Sequence, residues 1–252
     1  MKIGQQLYSF HKECETEEAL AQTLKTVRKI GYEYVQLSGI CECEAKTLDS
    51  MLKETGLKGP VCHANTQQLI DDPKSVIAYY DSVGCHEIGI GSMPVDYRYT
   101  VEGVKAFLKD ITPAIDILKD SGRVLHYHNH AFDLAKMDDG SCHIDHLLEK
   151  DGIFLLADTY WVHMGGYNEV EYLRSIKGKC TIVHFKDWEL DKNTPRFAPV
   201  GRGNLDWDGI YKVCEEIGVE YAFVEQDKTF DDETPTQCAT ISFNNMKAKG
   251  WL

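Results

Sequence analysis

The chain has 252 residues, 43% of them hydrophobic and 27% charged, which excludes a disordered chain, a collagen-like fibre and a small disulfide scaffold. Its 27 basic against 40 acidic residues give a net charge of −13, and so acidic a surface repels phosphate backbones and anionic lipid, so that no nucleic acid and no membrane is expected as a partner. Nine irregularly spaced cysteines without a CxxC pair, and a start MKIGQQLYSF without an apolar run, predict a reduced, cytoplasmic protein with neither a disulfide framework nor a thiolate zinc site.

Along the chain, short apolar or β-branched runs alternate with longer amphipathic stretches. Strands are expected near 2–8, 33–37, 58–63, 86–90, 123–128, 153–158, 180–185 and 221–225. Between the first two, TEEALAQTLKTVRKI (16–30) has an acidic first turn and a basic last turn that complement a helix dipole, and Gly31 stops it. The stretch 101–121 reads as a helix kinked or broken at Pro113, and IYKVCEEIG (210–218) as one closing on glycine. Eight strand–helix units of about 31 residues each suit a single (β/α)₈ TIM barrel spanning residues 1–252. A doubly wound nucleotide-binding sheet is disfavoured, because no GxGxxG follows the first strand and no P-loop occurs.

Chemistry in such a barrel sits where strands end, on one face. The last four expected strands end in polar residues. LHYHNH places His126, His128 and His130 on one side under period-2 alternation, IFLLAD ends in Asp158, TIVHFKD carries His184 and Lys186, and YAFVEQD carries Glu225. Gathering Asp158 and Glu225 in a barrel mouth costs several kcal/mol unless a cation lies between them. A mixed imidazole and carboxylate set suits one divalent ion, Mn, Co, Zn, Fe or Mg, rather than a soft thiolate-seeking one.

The runs YHNHAF, ADTYWVHMGG, VHFKDW, APVGRGNLDW and VEQD, in this order and together with IGQQLYSF, resemble the xylose isomerase-like TIM barrels. That superfamily includes sugar phosphate isomerases and epimerases, inosose dehydratases and keto-sugar epimerases. The resemblance implies a divalent ion held by a Glu on the fifth strand, an Asp on the sixth, a His on the seventh and a Glu on the eighth. Asp158, His184 and Glu225 match the last three. YHNH stands where the first Glu is expected, and His128 aligns best with it, as in an HNH-containing sub-branch near the inosose dehydratases; His130 is the alternative fourth ligand. In the keto-sugar epimerases two metal-bound glutamates exchange a proton on opposite faces of the carbon beside a ketone, so an imidazole in place of one glutamate also admits asymmetric, lyase-type work.

Further candidates surround this set. His63 at the end of the third strand is placed to touch substrate hydroxyls, or else is a buried structural histidine. Lys186 is placed to steady an enolate oxygen or a phosphate, or else to pair at the rim with Asp187. Trp161, where relatives often carry a His, offers a sugar an apolar face, and Arg202 offers a phosphate its fork or else is a surface arginine. Glu225 is the first choice of base, with His128 or His130 on the other side. His143 and His146 read as surface residues of the helix after the fifth strand, and Cys41 and Cys43 as a stray thiol pair. Three functions follow: a metal-dependent isomerase or epimerase of a small keto-sugar or its phosphate, a lyase or dehydratase of a keto-inositol (a cyclitol) or 3-keto-sugar, and a non-catalytic sugar-binding barrel. The apurinic endonuclease branch is excluded by the acidic charge and the shortage of further ligands on the early strands. Homo-oligomer formation is left open.

Overall fold

The computed structural model describes residues 1–230 and 232–252. Eight parallel strands close on themselves: β1 Lys2–Gln6, β2 Tyr34–Leu37, β3 Lys58–Ala64, β4 Glu87–Ile90, β5 Leu125–His128, β6 Ile153–Asp158, β7 Ile182–Phe185 and, after a two-stranded excursion, β10 Tyr221–Val224, which pairs back onto β1. The excursion, β8 Asp187–Asp191 against β9 Thr194–Ala198, is an antiparallel hairpin on the loop after β7. Each of the eight expected strands is present. The hairpin was not foreseen; its turn has no Asn-Gly or Asp-Gly and instead places Lys192 at φ 58°.

Helices follow the strands: α1 Glu17–Ile30, α2 Ala45–Thr55, α3 Thr66–Asp71, α4 Pro73–Ser82, α5 Val101–Asp120, α6 His143–Glu149, α7 Thr159–Met164, α8 Glu169–Ser175, α9 Trp207–Ile217 and α10 Pro235–Ala248. The start of α1 is capped by the Thr16 side chain, which accepts from the Ala19 N–H, and its end by Gly31 at φ 128°, as the charge pattern implied. Pro113 does not divide α5. It lies on the solvent side, where water can serve the carbonyl that loses its partner, while Ile111, Ala114, Ile115 and Leu118 bury the other face.

The core has two parts. A large apolar layer fills the space between strands and helices, and a separate plug of Val61, Leu156, Ile182 and Phe223 sits inside the barrel, flanked by Tyr34 and Tyr221. Strand alternation decides which residues point inward. Counting two residues on from the plug gives His63, Asp158, His184 and Glu225, so the apolar plug forms the floor on which the polar strand ends stand. Among the described residues no helix is long and apolar enough to cross a membrane.

Candidate metal centre

His128, Asp158, His184 and Glu225 are all buried and each offers one ligand atom, these atoms lying within 4.8 Å of one another. His128 Nε2 is 3.3 Å from Asp158 Oδ2 and 3.9 Å from Glu225 Oε2, and His184 Nδ1 is 3.0 Å from Glu225 Oε2 and 3.7 Å from Asp158 Oδ2. The cluster can therefore hold a metal ion.

Hydrogen bonds behind the cluster fix which atom each residue presents. The Gln36 side-chain oxygen, 2.7 Å from His184 Nε2, accepts that N–H and leaves Nδ1 as a lone-pair donor. No well-directed hydrogen bond reaches the buried His184 Nδ1, although Glu225 Oε2 lies 3.0 Å away. The Gly91 carbonyl, 3.0 Å from His128 Nδ1, likewise leaves Nε2 to face the acids. Asp158 divides its work: Oδ1 accepts the Trp161 N–H at 3.0 Å and caps α7, while Oδ2 faces the imidazoles. Outer partners of this kind orient metal-binding imidazoles and fix their tautomers. An orphaned imidazole nitrogen, two oriented histidines and two carboxylates fit a borderline divalent cation.

Electrostatics agree. Lys186, only 1% exposed, donates to Asp227 Oδ1 at 2.7 Å and Glu225 Oε2 at 3.1 Å, and lies 3.6 Å from Asp158 Oδ2. One ammonium among three carboxylates leaves an excess of negative charge. Burial lowers the His184 pKa, but Glu225 and Asp158 outweigh it and carry it up to about 9, so these oxygens favour a positive species between them. Burial raises Asp158, yet Lys186 and the two imidazoles pull it down to about 2. Glu225 likewise is held well below the usual carboxylate range, burial being overcome by Lys186 and His184.

The remaining candidates divide. His63, His128, His130, Lys186 and Glu225 line one cleft of about 530 Å³. His63 stands 5.2 Å from His128 and 5.4 Å from His184, ring to ring, and burial holds its pKa well below the usual value. His130 lies outside the ligand cluster: its ring stacks on Phe132 at 5.6 Å, and burial, with His128 and Lys186 beside it, lowers its pKa to about 3. The Trp161 ring adjoins both, 5.3 Å from His130 and 5.1 Å from Lys186 Nζ. Arg202 is not a cleft residue; Glu233 holds it at 2.6 Å and Glu189 lies 3.8 Å away. Cys41 and Cys43 are free thiols on the loop after β2.

Two expectations are corrected. Lys186 does not pair with Asp187 at the rim; as an inward residue it reaches Glu225 and Asp227 instead, and Asp187 accepts backbone N–H groups of Trp188, Gly201 and Gly203. His143 is not a surface residue. It is buried, with Nδ1 3.1 Å from Asp133 Oδ1 and Nε2 accepting the Tyr99 N–H at 3.1 Å, because the loop before α5 folds over the first turn of α6. His146 is half-buried, its Nε2 2.8 Å from the Ser141 hydroxyl.

Gln36, Asp133, Asp227 and Arg98 escaped the sequence reading. Gln36 and Asp227 had a signal: each has the strand parity of a cleft residue, Gln36 as a lone polar residue in YVQL and Asp227 two positions beyond Glu225.

A model of the family described as xylose isomerase-like TIM barrel matches residues 24–237. The chain belongs to that family. No match was found among curated protein sequences. Among solved structures, a sugar phosphate isomerase/epimerase from Parabacteroides distasonis is 19% identical with a TM-score of 0.83, covering 99% of this chain and 94% of its own. A D-allulose 3-epimerase from Methylomonas sp. is 12% identical with a TM-score of 0.73, covering 99% and 98%. The probable 3-DHS dehydratase AsbF from Bacillus anthracis is also 12% identical, with a TM-score of 0.72 and coverage of 98% and 99%. At these identities the likeness is one of fold.

Proposed function

We propose that the protein is a divalent-metal-dependent isomerase or epimerase of a small keto-sugar or sugar phosphate, acting by removal of a proton beside a carbonyl. The observation that carries this reading is Glu225, a buried carboxylate held ionised at the wall of a cleft, with Lys186 3.1 Å from the same Oε2 atom. The names of similar structures, two sugar isomerases or epimerases among them, support the substrate class.

One divalent cation, of Mn, Co, Zn, Fe or Mg, held by His128, Asp158, His184 and Glu225 would supply Lewis-acid polarisation of a substrate carbonyl. The chain's own groups do the rest. Glu225 is the base that takes the proton from the neighbouring carbon. Lys186, fixed between Glu225 and Asp227, offers its ammonium to the negative charge that develops on oxygen. His130 lines another side of the cleft and is assigned the second proton transfer, His63 lines it as well and is assigned the sugar hydroxyls, and the Trp161 ring, beside His130 and Lys186, is assigned a ring face of the sugar. Arg202, committed to Glu233, is left out of this assignment.

A second reading has a specific basis. His128 occupies the fifth-strand ligand position, so the two sides of the cluster are chemically unequal, which suits abstraction on one side and protonation of a leaving hydroxyl on the other. That is a lyase or dehydratase acting on a keto-inositol or 3-keto-sugar.

Incubating ketoses, keto-inositols and 3-keto-glucosides with enzyme and Mn²⁺ in deuterated water tests both. Deuterium is expected at the carbon beside the carbonyl of at least one substrate, and Glu225→Gln should suppress the exchange by on the order of 10²-fold or more. A dehydrated product selects the lyase. Turnover without wash-in contradicts the proton-transfer chemistry, and tight sugar binding without any exchange or turnover points to the non-catalytic barrel.

A further inference from the structure

The cleft has a second charged feature, across from the acids. Its carboxylates, Glu225 and Asp227, stand on the wall that carries Lys186, whereas the wall built by the loops after β3 and β4 presents Asn65, Thr66, Ser92 and Arg98. Lys186 is fully engaged by carboxylates. Arg98 is not: among the described residues it makes no ion pair with any carboxylate, although the chain carries a net charge of −13.

The Arg98 side chain is nevertheless fixed. Nε donates to the Met93 carbonyl at 3.0 Å, Nη2 to the same carbonyl at 2.8 Å and to Ser92 Oγ at 2.8 Å, and the guanidinium lies 4.2 Å from the centre of the Phe132 ring. Nη1 has no partner in this set. The loop carrying it is anchored from beneath. Tyr127 OH accepts the Met93 N–H and donates to the buried Asp133, and Asp133 also receives His143 Nδ1, whose Nε2 takes the N–H of Tyr99, the next residue after Arg98. The same short segment supplies the Gly91 carbonyl that orients His128. A guanidinium held in place on a cleft wall, with one nitrogen and its charge unpaired among the described residues, has already lost the side-chain freedom that binding an anion would otherwise remove.

We infer that Arg98 reads an anionic group, phosphate or carboxylate, at the end of the substrate away from the carbonyl, and thereby selects charged sugars over neutral ones. This rests on the reading of the cleft as a sugar site but not on its chemistry. It also assigns to Arg98 the anion contact that the sequence had suggested for Arg202.

Calorimetric titration with D-ribulose, D-ribulose 5-phosphate and erythro-4-pentulosonate (ribulose with its C5 oxidised to a carboxylate), first on EDTA-treated protein and then with Mn²⁺, tests it; the phosphate and carboxylate probes show which anion is preferred. At least one anionic probe should bind roughly 10- to 100-fold more tightly than D-ribulose, the scale of a charge-assisted hydrogen bond, and Arg98→Gln should erase that ratio while D-ribulose binding is unchanged. If Arg98→Gln loses D-ribulose as well, Arg98→Lys decides: a reduced ratio supports the assignment and an unchanged one overturns it. Equal affinity for neutral and anionic probes, or a preference that survives in Arg98→Gln, also overturns it. An anion preference present in EDTA-treated protein stands even if Mn²⁺ adds nothing, which separates this inference from the metal reading.

Discussion

His184 offers Nδ1 to the cluster because Gln36 occupies its other nitrogen. Replacing Gln36 by Met keeps the volume but removes the acceptor, freeing the ring to change tautomer. Metal affinity should fall by roughly 10- to 100-fold, as for other lost outer-shell partners, with thermal stability close to the parent's; unchanged Mn²⁺ affinity by calorimetry would show that the Gln36 bond does not orient the ring. The four cluster residues were legible in the sequence because strand alternation and the abrupt end of each apolar run place them on one side at one height. Asp227 obeyed the same rule and was passed over beside Glu225. Arg98 and Asp133 gave no such signal: their roles come from contacts between separate loops, which no local period encodes. His143 was misread for the same reason, since a helix exterior is solvent-facing only where no loop packs on it.

Asp187 organises the loop after β7. Its carboxylate accepts the N–H groups of Trp188 at 2.8 Å, Gly201 at 2.8 Å and Gly203 at 2.9 Å. A Cβ on Gly203 would fall 2.3 Å from the Trp188 carbonyl oxygen, so the GRG run is required for close approach to Asp187 rather than for its arginine. Asp187→Ala should cost about 3 kcal/mol, because several backbone donors lose a buried partner at once; a urea-denaturation change below about 1 kcal/mol would mean that water replaces the carboxylate. Inside the barrel, a Cβ on Gly4 would meet the Tyr34 carbonyl oxygen at 2.6 Å and the Phe223 ring at 2.8 Å. Gly4→Ala should therefore destabilise by about 1–3 kcal/mol, again read from the urea midpoint, and a neutral result would show that β1 and β2 can separate. Strands and their order were readable from composition alternating along the chain. The β8–β9 hairpin was not, because half its residues are exposed and its turn lacks the residues that mark tight hairpins.

For the molecule as a whole, the nine cysteines are all free. Burial pushes the thiols of Cys14 and Cys180 up to about 12 and that of Cys238 up to about 11. In the native protein at about pH 8, a disulfide reagent should therefore react first with the half-buried Cys41 and Cys43 and reach the rest only on unfolding; rapid reaction of all nine would contradict the packing of the core. The sign of the pH effect follows from the same shifts. The folded pKa values lie above the ordinary thiol value of 9.0, so the stabilisation is complete below that pH and is lost as the pH climbs from there towards 11 and 12. Urea midpoints should fall over that range, and less steeply in Cys180→Ala.

In the proposed centre, four strand ends of one barrel hold a single divalent cation. Anomalous diffraction from crystals grown with Mn²⁺ tests it most directly, paired with metal analysis of Asp158→Ala. One strong peak is expected, in contact with His128 Nε2, Asp158 Oδ2, His184 Nδ1 and the Glu225 carboxylate, and Asp158→Ala should lose stoichiometric metal because one of two charge-neutralising carboxylates is gone. A peak elsewhere, no peak at saturating Mn²⁺, or an Asp158→Ala protein that binds metal as the parent does would contradict it.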